Sequence, residues 1–91
     1  MGYILDFTEE AKQDIKDLQR SSPVNYKKVV KLLVELMEHP TEGAGKPKPM
    51  KYGFTGCWSR RIDHKNRLVY KVENDIVTVT VLSALGHYGD K

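Results

Sequence analysis

The chain has a single cysteine, Cys57, among its 91 residues. One thiol excludes an internal disulfide and a cysteine-based zinc site, and its setting reads as a semi-buried strand position. No apolar run is long enough to cross a bilayer. Asp6 interrupts the N-terminus before any long apolar stretch, so no secretory leader is expected. His39, His64 and His87 share no metal-ligand spacing, so no metal and no cofactor are expected. Gly43-Ala44-Gly45 lacks the surrounding residues of a nucleotide-binding glycine loop. With no internal repeat and no linker-like stretch, residues 1–91 read as one small cytoplasmic domain without membrane contact. A chain this short buries a modest core, which leaves stabilisation by a partner or by a homodimer open.

What the chain does have is cationic charge gathered in one place. Residues 46–71 hold Lys46, Lys48, Lys51, Arg60, Arg61, Lys65, Arg67 and Lys71 against one acid, Asp63. The whole chain is only +3, so everything outside that stretch is net acidic. Such asymmetry marks a binding face more than a device for solubility. Its natural partner is a polyanion, because each Lys or Arg that neutralises a phosphate releases a counterion. Aromatic residues interleave with the charges, and His87 and Tyr88 close the chain's basic half, a combination that points to RNA.

The order of elements is legible from periodicity. Residues 3–7 read as a first strand. Thr8 caps a helix with Glu9 and Glu10 in its first turn, where the dipole favours acids, and Ala11, Ile15 and Leu18 form a narrow apolar stripe. Ser22-Pro23 opens a second helix, whose expected core face is Tyr26, Val29, Val30, Leu33, Leu36 and Met37. The segment 41–49 reads as an extended loop in which Pro47 and Pro49 permit an edge strand at best. Residues 57–63, 67–73 and 76–84 read as three strands, with a tight turn at Asn74-Asp75. The expectation is an α+β fold of order β-α-α-β-β-β, with two N-terminal helices packed on one face of a twisted antiparallel sheet.

Alternation along the strands then sorts the charges. Leu68, Tyr70 and Val72 belong to the helix side, with Trp58 and Ile62. Ser59, Arg61, Arg67 and Lys71 belong to the helix-free side, while Arg60 falls on the core side of its strand. Arg60, Lys46, Lys51 and Lys65 are expected to make general phosphate contacts alongside Ser59, Arg61 and Lys71.

The run Glu42-Gly43-Ala44-Gly45-Lys46-Pro47-Lys48-Pro49, then Gly56-Cys57-Trp58-Ser59-Arg60-Arg61-Ile62, then Arg67-Leu68-Val69-Tyr70 and finally His87-Tyr88 resembles the YoeB/Txe branch of the RelE/ParE-type bacterial toxins. The resemblance implies a RelE-like, microbial-ribonuclease-like fold. It implies the toxin of a type II toxin–antitoxin system, an endoribonuclease that cuts mRNA in the ribosomal A site without a metal. It also implies a cognate, YefM/Axe-like antitoxin wrapped on the basic face, with operator DNA reached only through that antitoxin. Carried over, Arg67 stabilises the phosphate and His87 is the general acid, with Tyr88 beside it. The family's glutamate base does not carry over, since Lys48 stands in its place, and residues 89–91 extend past the His-Tyr pair.

Metal-free RNA cleavage needs a base for the 2′-hydroxyl, cations on the phosphate and an acid for the 5′-oxygen. A guanidinium such as Arg67 suits the phosphate, and a histidine exchanges protons near neutrality. A lysine becomes a base when surrounding cations depress its pKa. The base therefore stays open among Lys48, His87, Lys51 and Glu42, with His64 and Asp63 at a turn as poorer choices. A catalytically weakened RNA- or ribosome-binding module, acting mainly as antitoxin partner and co-repressor, is the alternative reading.

Overall fold

A computed structural model describes residues 2–45, 47–50, 56–76 and 78–84. Strand β1 (Ile4–Phe7) leads into helices α1 (Glu9–Ser21) and α2 (Pro23–Glu38), then β2 (Lys48–Pro49), β3 (Cys57–Arg61), β4 (Arg67–Glu73) and β5 (Thr78–Ser83).

The start of α1 is built as its sequence requires. The Thr8 hydroxyl accepts from the Ala11 N–H at 3.0 Å and donates to the Leu82 carbonyl at 2.7 Å, so one side chain caps the helix and ties it to β5. Ser22 ends α1 by donating its N–H to the Leu18 carbonyl, and Pro23 begins α2 at a position where its missing donor costs nothing. Helix α2 is turned relative to the expected face. Val29, Leu32 and Leu36 are buried, whereas Val30 and Met37 are 41% and 36% exposed. Periodicity locates the stripe to within one position. Packing against α1 and the sheet together selects Leu32 at its centre.

The five strands lie in the order β1-β5-β4-β3-β2. The meander β3-β4-β5 is antiparallel as expected, and β2 joins its edge antiparallel to β3. Strand β1 differs, pairing parallel to β5 and making the sheet mixed. The final hairpin turns through a 3₁₀ stretch (Asn74–Ile76) instead of a two-residue loop, which starts the last strand later than expected. One face of the sheet packs on the helices. Leu68, Tyr70, Val79 and Val81 meet Ala11, Leu18, Val29, Leu32 and Leu36 there in one buried cluster.

A bulge ends this regular pattern. Tyr70 opposes Val81 but its neighbour Val69 opposes Ser83, so Leu82 is an extra residue on β5. Ser83 thereby shares the face of Val69, and Ala84 returns to the core. Among the described residues no helix is long and apolar enough to cross a membrane.

Candidate nucleic-acid interface

Strand register decides which charges share a surface, because directly opposed residues point to the same face. Lys48 opposes Ser59, Ser59 opposes Val69, and Val69 opposes Ser83. Arg61 opposes Arg67 in the next row. On the other side, Cys57 opposes Lys71, which opposes Thr80. The helix-free face therefore carries Lys48, Arg61, Arg67 and Lys71 over a buried floor of Cys57, Ser59, Val69 and Ser83. None of the four cations has an ion-pair partner among the described residues; the three ion pairs there lie elsewhere, at Glu9–Lys12, Asp17–Arg20 and Glu35–Arg60. The acids on this face, Asp6 and Glu73, sit toward β1 and the far end of β4.

Two features of the floor bear on its chemistry. Burial pushes the Cys57 thiol up, against a smaller lowering effect from Lys71, so it is held as a thiol and not a nucleophile. The Ser83 hydroxyl is fully buried and meets no hydrogen-bond partner among the described residues.

Arg60 is not part of the interface. It points to the helix side and is 0% exposed, so the expectation that it touches RNA is corrected. All five of its N–H donors are used. Nε donates to the Tyr70 hydroxyl at 3.1 Å. Nη1 donates to Glu35 Oε1 and the Ala44 carbonyl, and Nη2 to the carbonyls of His39 and Glu42. Tyr70 in turn donates to the Pro40 carbonyl at 2.6 Å, and burial raises its pKa. Glu35 also accepts from the Ala44 N–H at 2.9 Å. That bond first, and Arg60 next, hold its carboxyl below the usual range. Sequence reasoning missed Glu35. The available signal was an arginine at an inward strand position, which demands a buried partner.

Ser59 keeps its expected face but is only 4% exposed, so it lends the interface little surface. Lys65 is exposed at the β3–β4 turn. The neighbouring Asp63 is a poor base. Burial raises its pKa, but N–H donors from Asn66 and Lys65 and the side-chain amides of Asn25 and Asn66 outweigh this and hold it at about 2. The folded state thus binds this proton more weakly than the unfolded chain, whose value is about 3.9. Its stabilising contribution is complete above that value and fades as pH falls toward 2. Unfolding in denaturant at pH 5 and pH 2.5 should show Asp63→Asn losing less stability than the parent between the two. Lys46, Lys51, His87 and Tyr88, with residues 89–91, lie outside the described residues.

A family model described as a YoeB-like toxin of bacterial type II toxin–antitoxin systems matches residues 7–88. The chain belongs to this family. It is a type II toxin. The Streptomyces coelicolor toxin YoeB is 34% identical, covering 92% of this chain and 98% of that one. The YoeB of Escherichia coli K12 is 37% identical over 82% and 89%. A YoeB/ParE toxin structure from Agrobacterium tumefaciens superposes with a TM-score of 0.87 at 32% identity, over 93% of this chain and 99% of that one. The Staphylococcus aureus YoeB dimer gives 0.83 at 34% identity, over 94% and 98%. The same organism's heterotetrameric YoeB–YefM complex gives 0.80 at the same identity and coverage. The YoeB-like fold accounts for the mixed sheet and for the helix pair on one side of it.

Proposed function

We propose that this toxin is a ribosome-dependent endoribonuclease that blocks translation by cutting mRNA in the A site, without a metal. The observation that carries this is the Arg61–Arg67 pair. Like charges directly opposed on a sheet are destabilising, and here no described acid neutralises them. A bound phosphodiester would supply the missing negative charge. In the reaction a base takes the 2′-hydroxyl proton and the 2′-oxygen bonds to phosphorus. The bond to the 5′-oxygen breaks, and an acid protonates that oxygen. Arg67 holds the non-bridging oxygens with Arg61 beside it. Lys48 acts in proton transfer or charge stabilisation, and His87 with Tyr88 supplies the acid. Lys65, Lys71, Lys46 and Lys51 position the RNA backbone.

The partners follow from the same face. Its cations suit an acidic segment of a YefM-like antitoxin that folds on binding, with operator DNA contacted through the antitoxin. The S. aureus relative has been solved as a dimer, which supports a homodimer here. Lys48, standing where the family has glutamate, favours a second reading in which binding persists and cleavage is lost.

Purified toxin, free of antitoxin, should cut mRNA on programmed ribosomes, and Lys48→Ala should lower kcat by about 10²-fold, the scale of general acid–base catalysis. Equal cutting by both proteins would move the base to His87 or Lys51. Salt-sensitive ribosome binding without new mRNA 5′ ends would establish the non-cleaving module instead.

A further inference from the structure

Strand β2 has few bonds with which to set its own register. It has two residues, one of them Pro49, which has no N–H to give. A slip by one residue would turn Lys48 away from the Arg67 face. The Met50 N–H adds one more bond in the same register, to the Cys57 carbonyl at 3.0 Å, and on the other side of Lys48 the segment is held from the loop.

Arg60 does this. It gathers the carbonyls of His39, Glu42 and Ala44 around one guanidinium, and Glu35 closes the ring by accepting from both Arg60 and the Ala44 N–H. Tyr70 adds Pro40 to the same cluster. Next along β3, the Arg61 N–H donates to the Gly45 carbonyl at 2.7 Å, three residues before Lys48. Two glycines let the loop come this close. Gly43 has φ 119° and a Cβ there would lie 2.1 Å from Glu35 Oε1; Gly45 has φ 80° and its Cβ would meet the Arg61 carbonyl at 3.1 Å. A glycine pair with no nucleotide-binding context is thereby explained.

We infer that Arg60 is a positioning residue: through Glu35 and the carbonyls of residues 39–44 it fixes the loop whose far end presents Lys48 opposite Ser59. As a statement about catalysis this rests on the ribonuclease reading; as a statement about register it does not. A buried ion pair is weak evidence for stability in itself, since apolar residues of like volume often serve as well, whereas fixing register is the best-attested use of such groups.

The test uses Glu35→Ala, which opens the ring from a partly exposed helix position, and Glu35→Gln, whose amide oxygen still accepts. Arg60→Lys is a second way in, should Glu35→Ala fail to fold. Hydrogen exchange of residues 40–50, the cross-strand Lys48–Ser59 contact by NMR, and kcat, KM and ribosome affinity are read together. Glu35→Ala should speed exchange in 40–50 at least tenfold with α1 unchanged, and weaken the Lys48–Ser59 contact. It should lower kcat at least tenfold with KM and ribosome affinity within about twofold. Glu35→Gln should restore most of each. An intact Lys48–Ser59 contact with wild-type exchange in 40–50 would overturn the inference, as would a loosened loop with kcat unchanged in a cleaving enzyme. If the wild type cuts nothing, the ribonuclease reading fails, while exchange and NMR still decide the register.

Discussion

An Arg60→Met variant is expected to lose about 3–5 kcal/mol of folding stability, the cost of breaking a buried ion pair from one side. Methionine keeps most of the apolar stem, so the loss isolates the polar head. That head satisfies Glu35, the Tyr70 hydroxyl and the carbonyls of His39, Glu42 and Ala44. None of these acceptors gains a substitute from a thioether. A domain of this size holds only about 5–15 kcal/mol in total, so the denaturant midpoint should fall by about a fifth at the least. Glu35→Ala should also destabilise, because it leaves the fully buried Arg60 charge without its counter-ion, although water entering at the 32% exposed Glu35 side chain offsets part of the cost. Arg60→Lys should fall between, keeping the charge but offering three donors in place of five. A midpoint for Arg60→Met within experimental error of the parent would show that the loop carbonyls rehydrate freely and that the cluster contributes little to stability.

The parts of this fold that were legible in the sequence are those set by local chemistry. Thr8 and Pro23 marked helix starts because a cap and a missing donor act within one turn. Pro47 and Pro49 restricted β2 to an edge for the same kind of reason. Alternation in β4 separated Leu68 and Tyr70 from Arg67 and Lys71, and Arg61 followed by register. What was not legible depends on contacts between elements distant in the chain. The parallel pairing of β1 with β5 joins Ile4 to Thr78, and nothing near either residue announces it. The bulge at Leu82 changes the face of Ser83 without any glycine to signal it. Arg60 is the clearest case. In a row of cations it reads as one more phosphate contact, yet its inward position on β3 outweighs its charge, and Glu35 and the loop carbonyls make that position tenable.

Arg67→Ala is expected to lower kcat for A-site cleavage by about 10²–10³-fold, the range found when one preorganised donor to developing charge is removed. The same change should not weaken the fold. Arg67 opposes Arg61, has no ion-pair partner among the described residues, and sits half-buried on the helix-free face. Relieving that repulsion should leave stability unchanged or raise it by a few tenths of a kcal/mol, the scale of a cross-strand pair. Loss of turnover with no loss of stability separates a group held in place for its substrate from one held in place by the fold, and Arg60 variants should instead lose stability and turnover together in the same assays. Arg67→Lys should recover only part of the rate, since an ammonium keeps the charge but not the forked donors. Arg61→Ala should act mainly on affinity, reducing the salt dependence of ribosome binding by about one phosphate contact. Single-turnover cleavage, ribosome binding across a salt series and denaturant unfolding of the three variants measure all of this. Wild-type kcat in Arg67→Ala would remove Arg67 from the reaction and reduce the paired arginines to a docking surface.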